Sequence, residues 1–185
     1  MHRLVQRAIE EFIIANYGSD VWTKVAAASR HRMTSDDETH GQKVMHAASA
    51  ELRKPYVEMW EDLGAWLARL EPMRRLLRFS GRDFKDFLQN VVDLPDYTRM
   101  VVPDLKMPGM TVVTEDEVLR ILVRRRDPEW IHAIAGVVRV MADDYGALGL
   151  IWVEPDGIAV QVSDDCFAEA RDFHLGAGIL REGLA

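Results

Sequence analysis

Apolar residues recur at three- and four-residue intervals at the start of the chain, where Leu4, Val5, Ala8, Ile9, Phe12 and Ile13 make one stripe of a helix. Asn16-Tyr17-Gly18-Ser19 interrupts the stripe, with Gly18 suited to a C-terminal cap and Ser19 to the next N-cap. Val21, Trp22 and Val25 then face one way on a second helix. Arg30 to Gly41 is polar and reads as a loop. Val44 to Leu52 predicts a short helix, and Pro55 opens a longer one carrying Met59, Trp60, Leu63 and Leu67. After Pro72 a turn of Met73, Leu76 and Leu77 leads to Ser80-Gly81, and Phe84, Phe87, Leu88 and Val91 mark a further helix.

The period changes after Pro108. Thr111 to Thr114 and Val118 to Val123 are β-branched and apolar, which predicts strands. Asp127-Pro128 starts another helix, with Asp127 as N-cap and Ile131, Ile134, Val138 and Met141 on its buried face. Leu148 to Val153, a Pro155-Asp156-Gly157 turn and Ile158 to Val162 predict a hairpin. The fold class is therefore α+β: a helical N-terminal part packed with a small antiparallel sheet and one inserted helix. Residues 1–163 are expected to form the domain and 164–185 a helical tail. In that tail Cys166, Phe167, Ala170 and Phe173 share an apolar sector, expected either to pack on the sheet or to make a homodimer contact.

Composition narrows the function classes. At 185 residues the chain fits one domain with a real core, and no apolar run approaches the length that spans a bilayer. Its single cysteine, Cys166, excludes an internal disulfide framework and suits a reducing, cytoplasmic compartment. A net charge of -7 argues against a general nucleic-acid binder and leaves room for a local basic patch. Neither a phosphate loop, a catalytic serine motif nor a paired-carboxylate pattern stands out, so the expectation is not an enzyme. His31, Asp36, Asp37, Glu38 and His40 cluster in one stretch, as metal ligands or as a solvated charged loop; the spacing fits the loop better. Trp22, Trp60 and Trp66 read as core residues.

One stretch carries a more specific signal: Phe87-Leu88-Gln89-Asn90-Val91-Val92-Asp93-Leu94-Pro95, followed by Pro103 and Met107-Pro108-Gly109-Met110. It resembles the proximal-helix signature of the H-NOX family, heme domains that sense nitric oxide or oxygen and include the heme domain of soluble guanylate cyclase. The family reads Phe-Leu-x-Asn-Leu-Asp-x-Leu-His here, with prolines at the spacings of Pro103 and Pro108. Tyr17-Gly18 with Trp22, and Ala47-Ala48-Ser49, are similar to further family motifs. The resemblance covers residues 1–165 and implies the H-NOX fold, a heme cofactor and a signalling partner in trans, of kinase or cyclase type.

The resemblance also exposes two departures. The iron-ligating His position holds Pro95, whose amide nitrogen has no lone pair for a metal. The family's propionate clamp, Tyr-x-Ser-x-Arg, falls on Val123, Arg125 and Asp127. Arg125 remains on the relevant face as a candidate for a carboxylate or phosphate, or as a solvated strand end. His132 lies where oxygen-binding members place a distal tyrosine, so it is the candidate metal and heme ligand; the alternative is a packed helix residue. A stand-alone signalling module degenerate in standard heme ligation is thus the leading expectation, and a gas sensor ligated by His132 the second. A heme-free member is expected to fill its pocket, turning Met100, Met107, Met110 and Leu122 inward.

Overall fold

The computed structural model describes residues 3–31, 40–101, 107–124 and 127–163. Five helices come first: α1 (Arg3–Tyr17), α2 (Ser19–His31), α3 (His40–Leu52), α4 (Tyr56–Arg69) and α5 (Glu71–Phe79). The signature region follows as α6 (Phe84–Asn90), a 3-10 turn (Val91–Asp93) and α7 (Leu94–Val101). Strands β1 (Met110–Glu115) and β2 (Val118–Val123), helix α8 (Pro128–Tyr145), and strands β3 (Leu148–Glu154) and β4 (Gly157–Ser163) complete the order. All pairings are antiparallel, and β4 inserts beside β2 to give β1-β2-β4-β3. This is the expected α+β arrangement.

Local chemistry explains the breaks. Gly18 separates α1 from α2 with φ +92°, a conformation that side chains rarely adopt. Ser19 is already the first residue of α2, so the helix starts one position earlier than the capping pattern predicts. Pro55, expected to open α4, stands at its N-cap position without a side-chain cap bond, and the helix begins one residue later at Tyr56. Met73, Leu76 and Leu77 lie on a nine-residue helix, α5, where a turn was expected; Pro72 stands in its first turn, which needs no N–H from it. Asp127 caps α8, its Oδ1 accepting from the amides of Glu129 at 3.1 Å and Trp130 at 3.4 Å. Gly157, expected in the turn, instead pairs with Glu154 as the first residue of β4.

Two apolar clusters hold these elements. Ile9, Phe12, Ile13, Val25, Met45 and Met59 are buried among α1–α4, with Trp22, Trp60 and Trp66 packed partly buried against them. The larger cluster joins Phe87, Leu88, Val91 and Leu94 to Met110, to the inward side chains of β2 and β4, and to Ile131, Ile134 and Val138 of α8. Alternation along β2 buries Leu119, Ile121 and Val123. Leu122 therefore lies on the opposite face, half-buried, which corrects the expectation that it turns inward. Met110 is buried and Met107 packs against the same cluster, while the Met100 side chain lies outside the described residues.

Helix α4 links the clusters, contributing Met59 and Leu63 to one and Ala68 to the other. It crosses α8 backbone to backbone. A Cβ at Gly64 would stand 1.9 Å from the Ala133 carbonyl oxygen, and one at Gly136 2.0 Å from that of Glu61. Only glycine admits this approach. No helix of the described residues is long and apolar enough to cross a membrane. Pro103, Arg125 and the expected tail, 164–185, lie outside the described residues.

Candidate functional site

The signature segment is built from its turn outward. A Cβ at Gly81 would meet the Phe87 amide nitrogen at 2.4 Å, so the chain can double back onto α6 only there. Asp83 caps α6 by accepting from the Asp86 amide at 2.8 Å. Phe84, Phe87 and Leu88 turn into the larger core, the two phenyl rings stacked 6.2 Å apart. Asn90, the signature's asparagine, donates its Nδ2 to the Ser80 carbonyl at 2.6 Å. That bond fixes the end of α6 to the turn that precedes it.

Beyond Asn90 the chain tightens into the 3-10 turn and re-enters a helix, with the Leu94 amide bonded to the Val91 carbonyl. Pro95 is the second residue of α7 and is buried, beside Leu94 at 5% exposure and below Val91 at 1%. A first-turn residue has no intrahelical use for an N–H, so proline fits this backbone without distortion. One turn along, Thr98 donates to the Pro95 carbonyl at 3.1 Å, its Oγ1 lying 3.7 Å from the Met107 sulfur. Arg99 pairs with Asp96 at 2.6 Å, and Tyr97 is 38% exposed on another side of the helix. Pro108 is half-buried just before β1, where the Gly109 carbonyl accepts from the Arg124 amide at 2.9 Å. Heme iron takes an imidazole, thiolate, thioether or phenolate donor. Pro95 and Thr98 supply none of these.

The positions expected from the resemblance to carry the clamp have other uses where they are described. Val123 is buried at 4% in the core, and Asp127 is committed to the α8 amides. Arg125, between them, lies outside the described residues.

His132 lies on α8 against α4 rather than in the midst of the larger core. Its Nδ1 is buried with no hydrogen-bond partner, 3.5 Å from Glu61 Oε2. The other oxygen of Glu61 accepts from Arg139 Nε at 2.7 Å, and Arg139 Nη1 donates to the Ile151 carbonyl on β3 at 3.1 Å. His132 also borders an open cleft of about 280 Å³ with Pro128, Ile131, Val153, Glu154 and Pro155. Nearby, Glu129 accepts from the Tyr56 hydroxyl of α4, and its two carboxylate oxygens accept from Gln42 Nε2 of α3 at 2.9 and 3.0 Å. His40 is an exposed first residue of α3; Asp36, Asp37 and Glu38 of the same expected cluster lie outside the described residues. Among the described residues no three His, Cys, Asp or Glu side chains gather as metal ligands would.

Tyr145 joins the two regions. The last residue of α8, it donates its hydroxyl toward the carbonyls of Arg78 at 3.1 Å and Gly81 at 2.9 Å. Its ring lies 5.8 Å from Phe87, with the Arg78 guanidinium 3.8 Å above it. Burial raises the phenol's pKa, which keeps the donor protonated. The turn between α5 and α6 is thus held from the signature by Asn90 and from α8 by Tyr145. The sequence reading missed this junction; Gly81 beside Ser80 was its visible signal, as Gly64 and Gly136 inside apolar helical patterns were for the α4–α8 crossing.

Comparison with known proteins places this arrangement. A sequence model of the family described as Haem-NO-binding matches residues 2–145. The soluble guanylate cyclase gcy-31 of Caenorhabditis elegans is 25% identical over 157 residues, 78% of this chain and 22% of that protein. The chain therefore spans about a fifth of that relative's length. A mutant H-NOX protein from S. oneidensis in the Fe(II) ligation state superposes with a TM-score of 0.69 at 13% identity, covering 91% of this chain and 99% of its own. A mutant Fe(II) unliganded H-NOX protein from K. algicida gives 0.68 at 12% identity, covering 90% and 99%. At that identity the structures speak for the fold alone.

Proposed function

Because the chain belongs to the haem-NO-binding family, we propose that it is a regulatory sensor module of H-NOX fold that has lost ordinary histidyl heme ligation. The module acts by binding a ligand or a signalling partner in trans, of kinase or cyclase type, and is cytoplasmic and non-catalytic. One observation supports the reading: Pro95, which the resemblance sets at the proximal position, is buried, and the residues before it, from the Asp83 cap to Leu94, pack into the larger core. The residues present do not fit a histidyl heme. The proximal group has no donor, and the clamp positions are a core valine and a helix cap.

An absorption spectrum of protein produced with ample heme, with and without added hemin, tests this. The expected result is no stoichiometric Soret band that shifts with nitric oxide. One heme per chain with such a shift overturns the reading.

A second reading, a gas sensor ligated by His132, is favoured by one feature, the buried Nδ1 that lacks a hydrogen-bond partner. Under it, His132→Ala removes the Soret band. A band that survives the substitution rejects His132 as the donor.

A further inference from the structure

Strand β3 is apolar on both of its faces. Ile151 and Val153 pack against the larger cluster, and strand alternation sends Leu148, Leu150 and Trp152 to the opposite side of the sheet. On that side Leu148 and Leu150 are 66% and 64% exposed. A strand with one solvated face alternates apolar with polar residues, as the end of β4 does with Gln161 and Ser163. An unbroken run such as Leu150-Ile151-Trp152-Val153 is the pattern of a strand covered on both sides. Helix α8 covers the first side, and no described element covers Leu148 or Leu150.

We propose that residues 164–173 dock on this outer face, with Cys166, Phe167, Ala170 and Phe173 covering Leu148, Leu150 and Trp152. The chain leaves the sheet at the edge of the patch. Ser163, the last residue of β4, is the register partner of Leu148, so the two side chains share a face and residue 164 begins beside it. Ten helical residues span about 15 Å. The strand from Ser163 back to Ala159, the register partner of Trp152, spans about 13 Å. A helix laid back over β4 therefore reaches from Leu148 to Trp152. Asp164 and Asp165 suit the first turn of such a helix, where the dipole favours carboxylates.

The patch has a polar limit that sets how far the cover extends. Arg120 of β2 reaches across β4 to Glu154, which also accepts from the Trp152 N–H at 3.1 Å. The apolar sector of the segment thus lies over β3 and its polar side over this bridge. A second copy of the chain fits less well. It would have to lose translational and rotational freedom to reach the patch, whereas a segment already joined to Ser163 meets it at a high effective concentration. The inference concerns the face away from α8 and holds with or without heme.

The chain's single cysteine makes the test direct, because alkylation then reports on one position of the segment. Full-length protein is treated with N-ethylmaleimide and followed by mass spectrometry. Cys166 is expected to react at least about tenfold more slowly than in the same protein unfolded in urea at the same pH. Leu148→Asp with Leu150→Asp removes that protection, and so does Phe173→Asp, which alters only the segment. Phe79→Asp, at an exposed ring of α5, leaves it in place. Thermal melts confirm folding, and Phe173→Asp decides the matter if the strand variant does not fold. Alkylation of the parent at the unfolded rate overturns the proposal, as does protection that survives in a folded variant of either kind. Protection that rises with protein concentration, together with a dimer in sedimentation, gives the face to a second copy and overturns it as well.

Discussion

The signature segment and α8 border the same core, yet different forces hold them. The segment from Asp83 to Val101 is fixed by side chains that enter an apolar cluster, chiefly Phe84, Phe87, Leu88, Val91 and Leu94. Helix α8 buries a face in that cluster too, but its other side meets α4 through backbone contact at Gly64 and Gly136 and through the Glu61–Arg139–Ile151 chain of polar bonds. Apolar burial is non-directional and tolerates exchange at a single position. A backbone crossing with no room for a Cβ does not. The packing of the signature segment can therefore persist with a proline at position 95, whereas the α4–α8 seam fixes its own glycines.

The largest effect is expected at that seam. Gly136→Val places side-chain carbons on the Glu61 carbonyl and the Ala65 amide. It should cost about 4–5 kcal/mol or prevent folding, read as a lost or strongly lowered thermal transition. Parent-like melting would show that the helices separate freely and that the contrast is false. Phe87→Ala removes a fully buried ring from the signature's core contact and should cost about 3–4 kcal/mol in urea unfolding. A much smaller loss would mean that the segment is held by something other than packing.

The cap of α8 should come next. Asp127→Ala leaves two amides without their acceptor and is expected to destabilise by about 1 kcal/mol. Pro95→Ala should fall at or below about 1 kcal/mol, because the first turn needs neither its ring nor an amide. A larger loss there would show that the proline itself, not the surrounding packing, holds the segment.

The smallest expected effect concerns acid. The hydrogen bond from Arg120 of β2, which crosses β4, is the main influence holding the Glu154 carboxyl below its ordinary value of 4.5, with the Trp152 N–H adding to it. A depressed folded pKa means that this contribution is complete above the ordinary value and disappears as pH falls through the lower one. Glu154→Gln should flatten the acid limb of a stability–pH curve. An unchanged limb would assign acid sensitivity elsewhere, Asp86 with Arg82 being the next pair whose carboxyl is held low.

The sequence by itself determined the order of the strands and of the helices other than α5 and α7, the Asp127 helix start, the Gly18 break and the inward face of α8. Each of these follows from local stereochemistry or from a periodicity that one stretch of chain displays. It also determined the chemistry at position 95, since no fold can give a prolyl amide a lone pair. Helix α5 was read as a turn because Pro72 and Ser80-Gly81 frame a stretch too short to show its period; burial of Leu77 against the larger core makes it a helix. Leu122 read as inward because it is large and apolar, but pairing with Thr111 and Gly157 sets its face by register.

Only the tertiary structure placed His132 against Glu61, brought Tyr145 to the α5–α6 turn and closed Gly64 and Gly136 into a seam. Those contacts join residues 64 to 78 positions apart for Tyr145 and Arg139. Proximity at such separations is set by how whole elements pack, and no local pattern along the chain records it.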